Sequence, residues 1–419
     1  MRLHGSELKC NFLAAIALYE TGSERPLRFA PLAFQRKGIS KMPIYRRDLF
    51  RRFGVALTSS AVLPVLGEFS KLPLQPLPGA PSPIKPIRLN RNESPYGPCE
   101  KANEALRNAI ADANRYPGQE LDDLSAAIAA LNGVKIDQLT LGCGSRDLLR
   151  IAAETFLGPG KSLVMATPTF DVIAKYARAS GTEIRSVPLT KRYAHDLDAM
   201  IRRIDGSTRL IYLCNPNNPT GSLTLKSDIE SFLAKVPGGV NVLIDEAYHD
   251  FVPPTSTYMS WVGHSVTDQR LIVTRTLSKV YGMAGLRIGY AVASSQVSKR
   301  LAQRTLDVGV NIIAARAAKA ALEDQAYVKK IVARVADDRQ EFYNQANARM
   351  LRSLDSMTNF VMLKTSRLGA QVAEQLREKG ILVASGYPGF EYYIRVSLGL
   401  PQDMTEFWRA WDAFMSHGM

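Results

Sequence analysis

From residue 139 onward, short apolar runs alternate with stretches whose apolar positions recur at helical spacing. The runs at 139–141, 162–166, 183–187, 209–213, 240–244, 271–274 and 286–293 read as strands. Helical spacing fills 101–113, 120–131, 171–179 and 225–235, and a further helix runs from the turn at 142–146 through 156. Strands separated by helices predict a three-layer α/β fold, a mainly parallel sheet covered on both faces. From about residue 300 the texture changes. Long helical stretches at 297–322 and 325–349 precede a strand-like run at 360–363 and a helix over 369–378. Short runs at 381–383 and 392–396 and a closing helix at 403–416 follow, which predicts a smaller C-terminal α+β domain. No internal repeat is present.

With 419 residues the chain has room for both domains. The pattern divides into an N-terminal arm at 87–115, a large domain at 116–298 and a small domain at 299–419. Upstream, residues 1–41 hold one short apolar stretch, broken by Pro26, Pro31 and Gly38, and read as a gene-model extension with Met42 as the start. Tyr45-Arg-Arg-Asp-Leu-Phe-Arg-Arg-Phe53, followed by a weakly apolar run to Gly67, resembles a twin-arginine export signal over residues 42–70. It predicts a periplasmic protein, with the cytoplasm as the alternative. The run is too short and polar to span a bilayer, so no stable membrane insertion is expected. A proline-rich linker occupies 71–86.

The net charge of +14 invites a nucleic-acid partner, but its distribution argues against one. Residues 1–85 hold 13 Lys/Arg against 5 Asp/Glu, which leaves an excess of only +6 for the globular part. No basic stretch interleaved with aromatics and no finger pattern occurs. Cys10, Cys99, Cys143 and Cys214 lie far apart without a CxxC pair, so neither a zinc ribbon nor a disulfide framework is expected, and no metal site.

Candidate chemistry gathers just past the predicted strand ends, where open α/β sheets bind ligands. Thr276-Leu-Ser-Lys-Val-Tyr-Gly-Met-Ala-Gly-Leu-Arg287 sets Lys279 between two hydroxyls and eight residues ahead of an arginine. A lysine that loses its proton attacks carbonyls. Hydroxyls and a guanidinium suit a phosphate, and glycines let backbone approach a ligand. A cofactor with both an aldehyde and a phosphate fits, and pyridoxal 5'-phosphate (PLP) is such a molecule. Gly144-Ser145 opens a helix whose free N–H groups suit the same phosphate, although an ordinary N-cap serine reads the same way. Asn215-Pro-Asn-Asn-Pro-Thr-Gly221 is on its own a turn. Asp245 closes a buried strand, with Tyr248 three residues on, and needs a partner there, structural or catalytic.

Taken in order, Asn215-Pro-Asn-Asn-Pro-Thr-Gly221, Asp245-Glu-Ala-Tyr248 and the lysine stretch resemble the fold-type I PLP enzymes, aminotransferase class I/II, and most of all the histidinol-phosphate aminotransferase group. The resemblance runs from about Leu89 to residue 415. It implies the PLP-transferase fold, a PLP-binding large domain, and a ping-pong transfer between an amino donor and a 2-oxo acid through a Schiff base at Lys279. It implies that Asp245 holds the ring nitrogen's proton and that Asn218 and Tyr248 bond the ring oxygen. Phe170 would stack on the ring. Ser145, Thr276, Ser278 and Arg287, with the backbone of Gly144, Ser145 and Arg146, would hold the phosphate. Tyr116 would reach the partner subunit's site, so a homodimer is implied. Arg395 would grip the substrate's acid group, Asn218 would also touch the substrate, and Tyr96 would line the substrate mouth.

Three departures stand out. Arg146 replaces the family's usual acid. Ala384 stands where histidinol-phosphate enzymes place a second arginine. An export signal suits intracellular histidine synthesis poorly. Decarboxylases and lyases on the same fold are the alternative. A non-catalytic binding protein is disfavoured by the intact Lys279, Asp245 and Tyr248.

Overall fold

The computed structural model describes residues 86–416, which belong to one compact unit, Pro81–Met419. The expectations for residues 1–41, for 42–70 and, apart from Pro86, for 71–86 fall outside the described residues.

The central sheet has seven strands: β2 (Leu139–Gly142), β3 (Ser162–Thr167), β4 (Glu183–Pro188), β5 (Thr208–Cys214), β6 (Asn241–Asp245), β7 (Leu271–Thr276) and β8 (Gly289–Ala293). Their order is β2-β8-β7-β6-β5-β3-β4. The pairs from β7 to β4 are parallel, and β8 runs antiparallel between β7 and β2. Alternation along single strands feeds two cores. Ile211 and Leu213 of β5, with Val242 and Ile244 of β6, belong to one. Leu210, Tyr212 and Cys214, with Leu243, belong to the other. Helices α3 (Ser145–Phe156), α4 (Val172–Ala179) and α8 (Ser295–Ala302) supply the second core. Helices α6 (Lys226–Lys235), α9 (Ile312–Leu322) and α10 (Gln325–Ala348) contribute to the first. A sheet apolar on both faces must be covered on both, and the expected three-layer α/β architecture results.

The remaining helices are α1 (Glu100–Ala109), α2 (Gln119–Asn132), α5 (Leu197–Ile201), α7 (Val262–Ser265), α11 (Gly369–Glu378) and α12 (Pro401–Ser416). Two small sheets pair β9 (Phe360–Lys364) with β11 (Tyr393–Ser397), antiparallel, and β1 (Ile87–Arg88) with β10 (Ile381–Leu382), parallel. The chain after β1 is tied to β10 and β11. Leu89 N donates to Leu382 O at 2.8 Å, and Ser397 N donates to Leu89 O at 2.8 Å.

Three boundaries differ from the sequence reading. The helix expected over 297–322 is two, because the Asn311 side chain accepts from Ala314 N and starts α9 afresh. Strand β8 begins at Gly289 rather than 286, because Arg287 takes a left-handed conformation at φ 59°. Helix α5 has no counterpart in that reading. Asp196 caps it by accepting from Ala199 N, and Leu197 and Met200 anchor it.

Candidate active site

The parallel strands all end on one side of the sheet, and β2 points the same way. Their following loops enclose a cavity of about 840 Å³. It is lined by Ser145, Arg146, Phe170, Asn218, Asp245, Tyr248, Thr276, Ser278, Lys279, Arg287 and Arg395. Residues up to 250 positions apart in the sequence thus share one chamber. Tyr96 and Tyr116 do not line it. The Tyr96 hydroxyl donates to Asp338 on α10 instead, and Tyr116 is 87% exposed.

At one end, Gly144 and Ser145 begin α3 with the backbone turned into the left-handed region, φ 78° at Gly144. A Cβ there would lie 2.1 Å from Arg287 Nη2, so glycine leaves the space this guanidinium fills. A Cβ at Gly289 would meet Ser145 N at 2.7 Å, so the start of β8 has to be bare as well. Arg287 Nη1 donates to Ser278 Oγ at 3.2 Å and to Ala284 O at 2.9 Å. Thr276 Oγ1 donates to Ser278 Oγ at 2.9 Å. Hydroxyls, a guanidinium and a helix N-terminus thus converge on one small volume, a cradle for a phosphate. Arg146 is exposed on the first turn of α3, its guanidinium carbon 5.5 Å from the centre of the Phe170 ring.

Lys279 lies half-buried in the middle of the chamber. Its Nζ donates to Asn92 O at 2.9 Å and sits 5.4 Å from the Tyr248 ring centre. Burial first, and then the positive charge of Arg395, lower its pKa to about 7; Glu93 opposes this, while Arg146 and Arg287 add to it. Asp245 closes β6 and is 1% exposed. Burial raises its carboxyl to about 6, against donation from Tyr212 and from the backbone of Ala247. The Tyr248 phenol is buried and held above its usual range, chiefly by that burial. It accepts from Asn92 Nδ2 at 2.9 Å and from Asn218 Nδ2 at 3.5 Å. Arg395 is buried on β11. It donates through Nη1 to Asn218 Oδ1 at 2.6 Å and through Nη2 to Asn90 O at 2.8 Å, and its Nε has no hydrogen-bond partner.

Asn92 carries as much of this site as any residue singled out from the sequence. Its carbonyl accepts from Lys279, its amide donates to Tyr248, and its N–H donates to Ser397 Oγ at 2.8 Å. It adopts φ 54°, which asparagine tolerates better than most residues. Its one local signal was an asparagine inside a Pro- and Gly-rich loop. Tyr212, buried in the strand, gave none.

These residues fit PLP. A bare-glycine cradle suits the phosphate, a lysine with a lowered pKa suits the aldehyde, and a buried acid suits the ring nitrogen. Among the described residues no group of three or more His, Cys, Asp or Glu could hold a metal, and no helix is long and apolar enough to cross a membrane.

Comparison with known proteins agrees. The family model for aminotransferase class I and II matches residues 84–410. Histidinol-phosphate aminotransferase of Moorella thermoacetica is 36% identical over 325 residues, 77% of this chain and 84% of that one. Histidinol-phosphate aminotransferase 1 of Cupriavidus pinatubonensis is 38% identical over 328 residues, 77% of this chain and 86% of that one. The crystal structure of histidinol-phosphate aminotransferase from Sinorhizobium meliloti in complex with PLP superposes with a TM-score of 0.73 at 27% identity, covering 77% of this chain and 89% of that one. Arrangement, sequence and fold lead to one conclusion: the chain belongs to the aminotransferase class I and II family and is a PLP-dependent transaminase.

Proposed function

We propose that this transaminase takes its amino group from a donor whose carboxylate Arg395 holds, and passes it to a 2-oxo acid. The observation that carries the reading is the pairing of Arg395 with Ala384. Arg395 N donates to Ala384 O at 2.7 Å, and Ala384 N donates to Arg395 O at 3.1 Å. The cross-strand neighbour of the guanidinium is therefore a methyl group. One guanidinium matches one carboxylate in a two-pronged contact. A dianionic phosphate calls for more positive charge, and the absence of one charge-assisted hydrogen bond costs about 1.5–3 kcal/mol.

PLP, when bound, supplies a ring that draws off the electrons left when a bond to the substrate's Cα breaks. The chain's residues do the rest. Arg395 and Asn218 orient the substrate. Lys279, about half neutral near pH 7 because its pKa is lowered to about 7, takes the proton from Cα and returns it to the neighbouring carbon. Asp245 is pulled back to its anionic form by an adjacent cation and keeps a proton on the ring nitrogen. Tyr248 and Asn218 donate to the ring oxygen. Arg287, Ser145, Thr276, Ser278 and the N–H groups from Gly144 to Arg146 hold the phosphate, and Phe170 stacks on the ring.

A second reading, histidinol phosphate as donor, draws support from the names of relatives at 36% and 38% identity. The test mixes the PLP-loaded enzyme with a panel of amino acids and with histidinol phosphate, and follows the loss of the cofactor's visible band. Histidinol phosphate reacting faster than every carboxylate donor would overturn the first reading. Under that reading, Ala384→Arg raises the rate with histidinol phosphate about tenfold or more. A decarboxylase or lyase is not favoured, and carbon dioxide release without amination of the cofactor would revive it.

Two further elements of the proposal concern assembly and address. The enzyme acts as a homodimer, in which Tyr116 reaches the partner subunit's phosphate site. Mixing Tyr116→Ala and Lys279→Ala chains would then restore part of the lost activity. The twin arginines direct export, so Arg46→Lys with Arg47→Lys leaves the protein in the cytoplasm. Unchanged periplasmic recovery would refute this.

A further inference from the structure

Strand β5 carries a tyrosine, Tyr212, with no measurable exposure. It lies in the apolar layer between the sheet and helices α3, α4 and α8. Phenylalanine would fill the same space without an oxygen to satisfy, and a buried phenol needs a partner. That partner is the acid of the site. Tyr212 Oη donates to Asp245 Oδ2 at 3.2 Å. In the sheet register Cys214 pairs with Asp245, so Tyr212, two residues earlier on the same face, reaches the carboxylate along the diagonal between strands. The other oxygen, Oδ1, accepts from Ala247 N at 3.2 Å. Each carboxylate oxygen thus has a donor on the protein side, while Asp245 also lines the chamber.

We infer that Tyr212 is a positioning residue for Asp245: its hydroxyl fixes the direction in which the carboxylate faces the cavity and holds it in the anionic form that keeps the cofactor's ring nitrogen protonated. A phenol donates and a carboxylate accepts, so the bond favours the charged acid over the neutral one. Burial pushes Asp245 up to about 6 even with both donors in place, and the Tyr212 bond is the largest influence opposing it. Burial also holds the Tyr212 phenol well above its usual range, so it stays a donor at any pH where the protein is folded. Without the hydroxyl the carboxylate becomes more basic. The proton then moves from the ring nitrogen toward Asp245, and the ring withdraws electrons less well.

The test is Tyr212→Phe in the full chain loaded with ¹⁵N-labelled PLP. The pH at which half of the ring nitrogen is protonated should fall by about one unit. The value of kcat should fall about tenfold, with KM for the amino donor within about twofold. 3-Fluorotyrosine at position 212, a stronger donor, should shift the midpoint the opposite way. In the Asp245→Asn background, Tyr212→Phe should leave the ¹⁵N signal where it was, since the acid it acts through is gone. A folded Tyr212→Phe enzyme with the parent's ¹⁵N signal and midpoint would overturn the assignment. So would an equal effect in the Asp245→Asn background, which would make the tyrosine a packing residue only.

Discussion

Replacing Gly144 with alanine separates the cradle from the fold. At φ 78°, a Cβ costs about 1–2 kcal/mol of backbone energy. The new methyl would stand 2.1 Å from Arg287 Nη2 and 2.7 Å from its Cζ. Those atoms are the far end of a flexible side chain, so the overlap is relieved by pushing the guanidinium away rather than by moving backbone. Arg287 then gives up its bonds to Ser278 Oγ and Ala284 O and leaves the phosphate position. Without that charge-assisted hydrogen bond, binding weakens by about 1.5–3 kcal/mol, or roughly ten- to a hundredfold in PLP affinity. Equilibrium dialysis against PLP measures this, alongside thermal unfolding of the cofactor-free protein. The expected outcome is a modest loss of stability and a large loss of cofactor affinity. Gly282→Ala is the contrast. Its Cβ would lie 2.1 Å from the carbonyl oxygen of Gly97 and 2.2 Å from the carbon, which are backbone atoms, so the fold itself should fail. A Gly144→Ala protein that binds PLP within twofold of the parent would refute the reasoning.

Other outcomes follow from the titratable groups. Since the pKa of Lys279 is lowered to about 7, the rate at which cofactor-free protein captures PLP should rise with pH and level off above about 8; a rate still climbing steeply at pH 9 would contradict the lowered value. Lys279→Ala should bind PLP without covalent attachment and give no repeated turnover, checked by borohydride trapping and a multiple-turnover assay. His195 is buried, accepts from Cys214 N at Nε2 and pairs with Thr224 Oγ1 at 2.8 Å through Nδ1. Burial lowers its pKa from 6.5 to about 4, so the neutral form is the folded form. Its contribution is therefore complete above about pH 6.5 and is lost as pH falls toward about 4, at most about 3 kcal/mol. Urea unfolding across that range should show a shallower pH slope in His195→Gln, and an unchanged slope would sink the assignment.

Much of the site could be read along the chain because its residues are tied to local features. Asp245 closes an apolar run, Asn218 sits in a Pro- and Gly-rich turn, and Lys279 and Arg287 flank a glycine-rich loop. In a parallel sheet every strand's carboxyl end emerges on the same side, so a list of strand ends is already a list of neighbours. The central sheet was equally readable, because strands buried on both faces leave apolar runs between helices.

What tertiary structure decided is what depends on distant pairs and on exclusion of water. Asn92 meets Tyr248 and Ser397, which lie 156 and 305 positions away. Arg395 meets Asn218 across 177 positions. The hydroxyl of Tyr212 finds Asp245 only because β5 and β6 pair in one particular register. The charge states follow the same rule. An amine and a carboxylate have ordinary pKa values in an unfolded chain. Only the closed chamber, by removing water and setting arginines beside Lys279, brings the two groups to about 7 and about 6.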